Sequence, residues 1–268
     1  MNNYDASALS PFDNHFYNEP TVFRPEDVVE GARKQKHLPI GKLPAVCVLD
    51  FDGDLTDTLV DSDFAKPIPQ WACFHTKMYG VEVDGTLCGI ISRTIGGPYA
   101  VLIAEQLFVS GVKSVVGMAS AGRVNTRMPV PGVVVVDSAI RDEGTSYHYL
   151  SKDSIVGASK RMADALEKSC GQLMLPVLRG LIWTTDAPYR ETENQVRYYA
   201  ELGALAVEMQ AASLLAFAQA KDVNVGMVAF VSNDVNDEGC GNKDNFDKGT
   251  NDLQLSLFKA ICRGAMTV

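Results

Sequence analysis

The sequence predicts an α/β protein with a single domain, in which a central mixed β-sheet is flanked by helices. Runs rich in Val, Ile and small apolar residues alternate along the chain with stretches of helical periodicity. The strand-like runs are almost continuously apolar, as expected for strands that are covered on both faces. The chain has 268 residues, 46% of them hydrophobic and 21% charged, which is enough for one large core.

The predicted elements follow in a regular order. Pro25, Glu26 and Asp27 begin a helix that extends to about Lys36, because proline and acidic residues favour the first helical turn. Strand-like runs lie at 44–50, 71–82, 86–94, 113–119, 132–139, 177–185, 204–208 and 223–232. Helical patterns lie between them at about 97–110, 153–170, 190–202, 209–221 and 250–264. We therefore divide the chain into an N-terminal arm and helix, residues 1–40, and the α/β domain, residues 41–268.

Charge and hydropathy limit the partners and the compartment. The net charge of −9 and the pI near 4.9 argue against binding nucleic acid, which requires clustered cations. We expect a cytoplasmic protein without a membrane partner, because no run of eighteen apolar residues and no signal-peptide pattern occurs. The six cysteines form no C-x-x-C pair, so we expect no disulfide framework, no metal site and no cofactor.

Residues 49–59 (LDFDGDLTDTL) place three carboxylates, Asp50, Asp52 and Asp54, directly after an apolar strand. The stretch resembles the nucleophile turn of haloacid dehalogenase-type phosphatases, in which a hydroxyl residue stands where this chain has Asp54. The downstream lysine that such a phosphatase needs has no convincing counterpart, and a third carboxylate adds repulsion without a donor. We therefore disfavour that activity.

Five other segments occur in an order that is typical of another family. They are 95–100 (IGGPYA), 114–122 (SVVGMASAG), 184–189 (TTDAPY), 203–215 (GALAVEMQAASLL) and 231–234 (VSND). Together they resemble the loops and strand ends of the nucleoside phosphorylase and nucleosidase superfamily. The resemblance implies that the protein binds a nucleoside and cleaves the bond between its base and its sugar.

The resemblance also implies roles for individual residues at the sugar. In that family Glu-Met-Glu binds the ribose, and this chain has Glu208, Met209 and Gln210 at those positions. Gln210 can bond to hydroxyls but brings no negative charge to a cationic sugar, so a non-catalytic nucleoside-binding protein is a second hypothesis. Ser120 and Ala121 match the family's Ser-Ala-Gly and are expected to bind substrate.

The acid that protonates the leaving base is expected at the end of the last strand. Direct counting places Asn233 at that position, whereas a one-residue bulge places Asp234 there. We favour Asp234, because a carboxylic acid among apolar strand residues would have a raised pKa. A solvated turn is the alternative for this stretch.

The acceptor of the sugar depends on the turn after the first strand. Phosphorylases of this family have arginines there and on the strand before Ser-Ala-Gly, and this chain has the acidic turn from Asp50 to Asp54 and Gly117 instead. Nucleosidases have an acidic run whose last Glu activates water. We therefore interpret Asp54, or else Asp52, as a general base for water, with phosphate as the alternative acceptor.

The remaining candidates concern the base and the assembly of subunits. Tyr189, Trp183 and the pair Phe16-Tyr17 could stack on the base, and the segment 140–149, with Arg141 and His148, could line the pocket. Arg141 could also reach a phosphate. The resemblance implies a homo-oligomer, a dimer or a ring of dimers, in which His15 of the arm enters a neighbouring pocket. An arm that folds back on its own subunit is the alternative.

Overall fold

The computed structural model describes residues 16, 17, 19–234 and 248–268, with residues 234 and 248–251 described by their backbone alone. The helices are α1 Pro25–Lys36, α2 Asp54–Asp61, α3 Gly97–Val109, α4 Lys160–Cys170, α5 Glu193–Glu201, α6 Ala211–Lys221 and α7 Lys248–Ala265. The strands are β1 Val46–Asp50, β2 Lys66–Pro67, β3 Tyr79–Val83, β4 Thr86–Ser92, β5 Ser114–Arg123, β6 Gly132–Asp142, β7 Ile155–Gly157, β8 Val177–Thr185, β9 Ala206–Glu208 and β10 Asn224–Asp234.

The strands form one mixed sheet that closes partly on itself. Its order is β10-β6-β8-β9-β5-β1-β4-β3-β2, and β10 also pairs with β5. Strands β5, β9, β8, β6 and β10 therefore form a closed ring, from which β1, β4, β3 and β2 extend as an open wing. Strands β1, β4, β5 and β10 run parallel to one another, so their carboxyl ends meet at one edge.

Helices cover both faces of the sheet, which confirms the predicted fold class. One core cluster lies between the sheet and helices α3 and α6, and a second lies between the sheet and helices α2, α4 and α7. Helix α5 closes a smaller cluster around Trp183. Helix α1 packs against α3, and Lys36 Nζ donates to the carbonyl oxygens of Cys73, at 2.8 Å, and Phe74, at 3.0 Å.

The structure corrects three predicted elements. Residues 71–78 are not a strand, because Trp71 is held in a local turn: its amide donates to Ile68 O and its indole Nε1 to Thr76 Oγ1. The helix predicted from 153 begins at Lys160, and residues 155–157 instead form β7 against β6. The sequence analysis did not predict helix α2, because a stretch rich in acidic residues is typical of an irregular loop.

Of the helices that the structure describes, none has both the length and the apolar composition needed to span a membrane.

Candidate functional site

The five segments from the sequence converge at the edge of the sheet where the parallel strands end. Val207 in β9 pairs with Gly122 in β5, so Glu208 lies at the level of Ala121. Strand β10 pairs with β5 along its length and brings Asn233 opposite Gly122. Open α/β sheets bind ligands outside the carboxyl ends of their strands, which makes this edge the candidate site.

Asp50 stabilises the turn after β1. Its carboxylate is buried and accepts hydrogen bonds from Thr56 N at 2.9 Å, Thr56 Oγ1 at 2.7 Å and Gly53 N at 3.2 Å. It therefore caps the first turn of α2, while Gly53 takes a φ of 90° that favours glycine. Burial raises the pKa of Asp50 above its usual range. Because its oxygens are already bonded, Asp50 is poorly placed to attack phosphorus as a phosphatase nucleophile would.

Asp52 joins the end of β1 to the end of β5. Its carboxylate accepts one hydrogen bond from Ser120 N and one from Ser120 Oγ, both at 3.0 Å. Burial raises the pKa of Asp52, and the hydrogen bonds from Ser120 oppose that shift. Ser120, which was expected to bind substrate, is thus the hydrogen-bond partner of an acid at the candidate site.

Asp54 is the first residue of α2, and its side chain is exposed. Asp52, in contrast, accepts two hydrogen bonds from Ser120 of β5. The proposed general base was Asp54 or else Asp52, and both roles stay predictions; the geometry favours Asp52.

Arg93 is a functional candidate that sequence reasoning missed. It follows β4, has a positive φ of 61°, and its amide donates to Asp50 O at 2.9 Å. The guanidinium lies against Gly53 and makes a bidentate ion pair with Asp57. The parallel pairing of β4 with β1 was the available signal, because it places the residues that follow both strands side by side. The turn after β1 thus has a cation beside it, although this chain lacks arginine at the two positions where phosphorylases of the family carry one.

Glu208 caps helix α6 from the end of β9. Its carboxylate accepts hydrogen bonds from Thr184 Oγ1 at 2.6 Å, Gln210 N at 2.7 Å, and Ala211 N at 2.9 Å. Burial raises its pKa to about 7, although these hydrogen bonds lower it. Glu208 therefore holds the strand-to-helix turn that presents Met209 and Gln210.

Gln210 is itself buried at the start of α6. Its Oε1 accepts a hydrogen bond from Met209 N at 3.2 Å, so the amide folds back on its own turn. Met209 is half-buried beside it. Their contacts with a sugar stay predictions, since Gln210 must reorient its oxygen to accept from a hydroxyl.

Strand β10 contains the bulge on which the choice of Asp234 depends. Its register against β5 shifts between Val231, opposite Ala121, and Asn233, opposite Gly122. Ser232 is the extra residue, and its hydroxyl donates to Asn233 Oδ1 at 3.3 Å. Asp234 ends the strand, but its side chain lies outside the described residues, so its role as the acid stays a prediction.

Several aromatic and basic candidates lie elsewhere. Trp183 is completely buried, packs on Tyr199 with ring centroids 4.6 Å apart and donates to Asp142 at 3.0 Å, so it cannot stack on a base. Tyr189 is 99% exposed. Phe16 is exposed, and His15 lies outside the described residues.

Arg141 is a structural residue rather than a phosphate ligand. It is buried over the ring of Tyr147, and it donates to Ser146 Oγ and to the carbonyl oxygens of Leu150, Ser151 and Asp153. Those bonds use its donors to hold the segment after β6. His148, on the same segment, is exposed and lines a cavity beside α3.

Among the residues that the structure describes, no group of three or more His, Cys, Asp or Glu side chains is placed to hold a metal ion.

Comparison with known proteins identifies the family. Residues 45–264 match the model of the phosphorylase superfamily. A guanosine phosphorylase from Halorubrum lacusprofundi is 28% identical over 205 residues, which cover 74% of this chain and 83% of the relative. A purine nucleoside phosphorylase from Plasmodium vivax is 22% identical over 82% of this chain and 89% of its own.

Solved structures show the same fold. The crystal structure of a uridine phosphorylase from Vibrio fischeri superposes with a TM-score of 0.70 at 19% identity, covering 85% of this chain and 93% of that chain. The family match covers most of the described sheet and the whole candidate edge. This chain therefore belongs to the phosphorylase superfamily.

Proposed function

We propose that the protein cleaves the N-glycosidic bond of a nucleoside and transfers the sugar to inorganic phosphate. The observation that carries the proposal is the pairing of β5 with β9, which brings Ser120 to Gly122 beside Glu208 to Gln210. These segments lie far apart in the sequence, yet they share one edge of the sheet.

The chemistry requires three groups around the sugar. The departing base takes a proton, the sugar becomes cationic as the bond breaks, and a nucleophile attacks from the opposite face. Asp234 is the proposed acid, at the end of β10. Met209 and Gln210 hold the sugar, and the acceptor binds near the turn after β1, beside Ser120.

Phosphate is proposed as the acceptor for two reasons. The relatives named above are phosphorylases of guanosine and of purine nucleosides. In addition, Arg93 provides a guanidinium at the end of β4, within the same group of loops as Ser120. Guanidinium groups bind phosphate oxygens through paired hydrogen bonds. The relatives thus favour the acceptor that the sequence analysis kept as its alternative.

Hydrolysis is the second candidate, and Asp52 favours it. Ser120 fixes this carboxylate beside β5, and burial raises its pKa toward the range of a useful general base. Three acidic residues, Asp57, Asp54 and Asp50, also lie close enough to Arg93 to interact with its charge, and they would repel a phosphate dianion.

The experiment is a panel of purine and pyrimidine nucleosides, incubated with the protein with and without phosphate while base release is followed. Phosphate-dependent release supports the proposal. Binding without turnover of any nucleoside would instead support a non-catalytic nucleoside-binding protein, the hypothesis suggested by Gln210.

The proposal includes assembly into a homo-oligomer, a dimer or a ring of dimers. The described part of the arm carries Phe16 at 71%, Val22 at 100% and Phe23 at 76% exposure. Burying such side chains against a second copy would stabilise each by roughly 1.5–3 kcal/mol. Over its described part the arm lies along α3 of its own subunit, and Phe16, Val22 and Phe23 are exposed there.

A further inference from the structure

Glu143 is a buried carboxylate to which the proposed chemistry gives no role. It directly follows β6, and only 4% of it is exposed. Its carboxylate accepts hydrogen bonds from Ser146 N at 3.0 Å and from Ser213 Oγ at 2.5 Å. Burying a charged group is costly even when hydrogen bonds compensate it in part. The two hydrogen bonds therefore indicate which parts of the molecule depend on this carboxylate.

Ser213 connects Glu143 to the proposed sugar site. It is the third residue of α6 and is completely buried. Met209 and Gln210, which are proposed to hold the sugar, come directly before this helix. The hydrogen bond from Ser213 to Glu143 thus attaches the first turn of α6 to the segment after β6.

The other donors at the start of α6 are bonded to two other strands. The amides of Gln210 and Ala211 donate to Glu208 at the end of β9. The amide of Ala212 donates to Thr184 Oγ1 of β8 at 3.0 Å. Glu143 adds an attachment on a third strand, β6. Three attachments that are not in line fix both the position and the rotation of the helix start.

The start of α3 restricts Ser213 from another side. A Cβ on Gly97, the first residue of α3, would lie 2.1 Å from Ser213 Oγ and 3.3 Å from Thr145 Oγ1. A side chain at position 97 would therefore displace Ser213, and glycine is what allows the two helices to approach this closely. Ser213 lies between Gly97 and the carboxylate of Glu143.

Glu143 also carries a charge that acts on its neighbours. Burial raises the pKa of Glu208 to about 7, and the negative charge of Glu143 contributes to that rise. The guanidinium of Arg141 lies close enough to interact with the same charge. A change at Glu143 therefore alters both the charges and the hydrogen bond, whereas Ser213→Ala removes the hydrogen bond alone.

We propose that Glu143 is a positioning residue for the sugar. Through Ser213 it holds the start of α6, and with it Met209 and Gln210, in the orientation in which these two residues contact the sugar. Glu143 takes no part in bond cleavage itself. The inference rests on the proposed function for its effect on catalysis.

The test is a double-mutant cycle of Ser213→Ala and Glu143→Met, because methionine is similar in length and has no acceptor oxygen. We expect Ser213→Ala to lower kcat/KM for the best nucleoside, and the affinity for that nucleoside in calorimetry, about tenfold, the contribution of one charge-assisted hydrogen bond. In the Glu143→Met protein the same change should cost less than about twofold, because its partner is already absent. The KM for phosphate should stay within about twofold, because the acceptor is proposed to bind at the turn after β1.

The control for a purely structural effect is Arg179→Met. Arg179 also bonds two carboxylates, Asp137 and Asp164, both at 2.6 Å, but it lies five residues before Thr184 on β8. We expect it to lower the melting temperature and to leave both kinetic constants of the nucleoside unchanged. If Ser213→Ala behaves in the same way, its hydroxyl only stabilises the fold and the inference is overturned.

The remaining outcomes separate the inference from the proposed function. Losses from Ser213→Ala that are equal with and without Glu143 would overturn the inference and leave phosphorolysis untouched. A wild-type protein that binds a nucleoside without cleaving it, and in which the cycle on affinity shows the expected coupling, would support the positioning role and overturn the proposed function. Ser213→Ala removes a single hydroxyl group, so its effect on affinity decides the case even if Glu143→Met does not fold.

Discussion

At the residue scale, three aspartates of one turn differ in environment although they lie within five positions. Asp50 is buried and caps α2, Asp52 bonds Ser120, and Asp54 is exposed. The sequence pattern predicts a carboxylate-rich turn but not this division of tasks. The role of each aspartate depends on whether its carboxylate faces a backbone amide. The φ of Gly53 and the position at which α2 begins determine which carboxylate does so.

Arg93 tests the choice of acceptor at this turn. If it binds phosphate, Arg93→Met should raise the KM for phosphate about tenfold or more, because a charge-assisted hydrogen bond contributes about 1.5–3 kcal/mol. The KM for the nucleoside should change little. Steady-state kinetics with each substrate varied in turn measure both constants.

The matched control is Arg263→Met. Arg263 also forms an exposed bidentate pair, with Asp84, but it lies on α7 far along the chain from the candidate edge. Equal effects of the two changes on the KM for phosphate would show that Arg93 only stabilises the turn.

Asp234 tests the assignment of the acid. The bulge at Ser232 makes the alignment with Asp234 geometrically available. We expect Asp234→Ala to lower the rate of base release by about two orders of magnitude or more, the scale of a lost general acid. The measurement is the turnover rate of the best nucleoside in Asp234→Ala and in Asn233→Ala. A mild effect at Asp234 with a severe one at Asn233 would assign the role to Asn233.

At the scale of elements, the junction of β9 with α6 combines a cap with a buried charge. Glu208 satisfies the amides of Gln210 and Ala211, which the first turn of a helix leaves without internal partners. A similar close fit occurs at the start of α3, where a Cβ on Gly97 would lie 2.1 Å from Ser213 Oγ. Ser213 in turn donates a hydrogen bond to Glu143. The close contact at Gly97 thus joins α3 to α6, and the hydrogen bond joins α6 to the segment after β6.

The buried carboxyl of Glu208 predicts a pH dependence of stability. Its pKa is about 7 in the folded protein and near 4.5 when unfolded, so the folded state binds more protons between those values. Stability therefore falls as pH rises from 4.5 to 7, by roughly 3 kcal/mol from this group.

The measurement compares urea unfolding of wild type and Glu208→Gln across that range. The variant does not titrate at this position, so the wild-type free energy of unfolding minus that of the variant should decline by roughly 3 kcal/mol between pH 4.5 and 7.5. A difference that stays constant with pH would mean that the capping hydrogen bonds keep Glu208 ionised throughout.

At the scale of the whole molecule, hydrophobic patterning predicted the layered fold and most of its elements. It could not predict the closed ring of β5, β9, β8, β6 and β10, because β9 is three residues long and pairs in opposite directions with its two neighbours. The motif order predicted which strand ends lie together at the candidate edge. Arg93 was missed, because its place beside the turn after β1 depends on the pairing of β4 with β1 in the folded chain.

The arm provides a prediction at the same scale. If its exposed apolar side chains dock on a second copy, a chain lacking residues 1–22 should lose both oligomerisation and activity. Sedimentation velocity and turnover measure these two properties. A truncated chain that is monomeric and fully active would exclude a pocket shared between subunits.

The central claim, transfer of a nucleoside's sugar to phosphate, is tested most directly by identifying the sugar product. The protein is incubated with the best nucleoside of the panel and inorganic phosphate, and the mixture is followed by ³¹P nuclear magnetic resonance. We expect base release to require phosphate and to be matched, mole for mole, by a sugar 1-phosphate. Base release that proceeds at the same rate without phosphate and yields the free sugar would contradict the claim and assign the attack to a water molecule at Asp52.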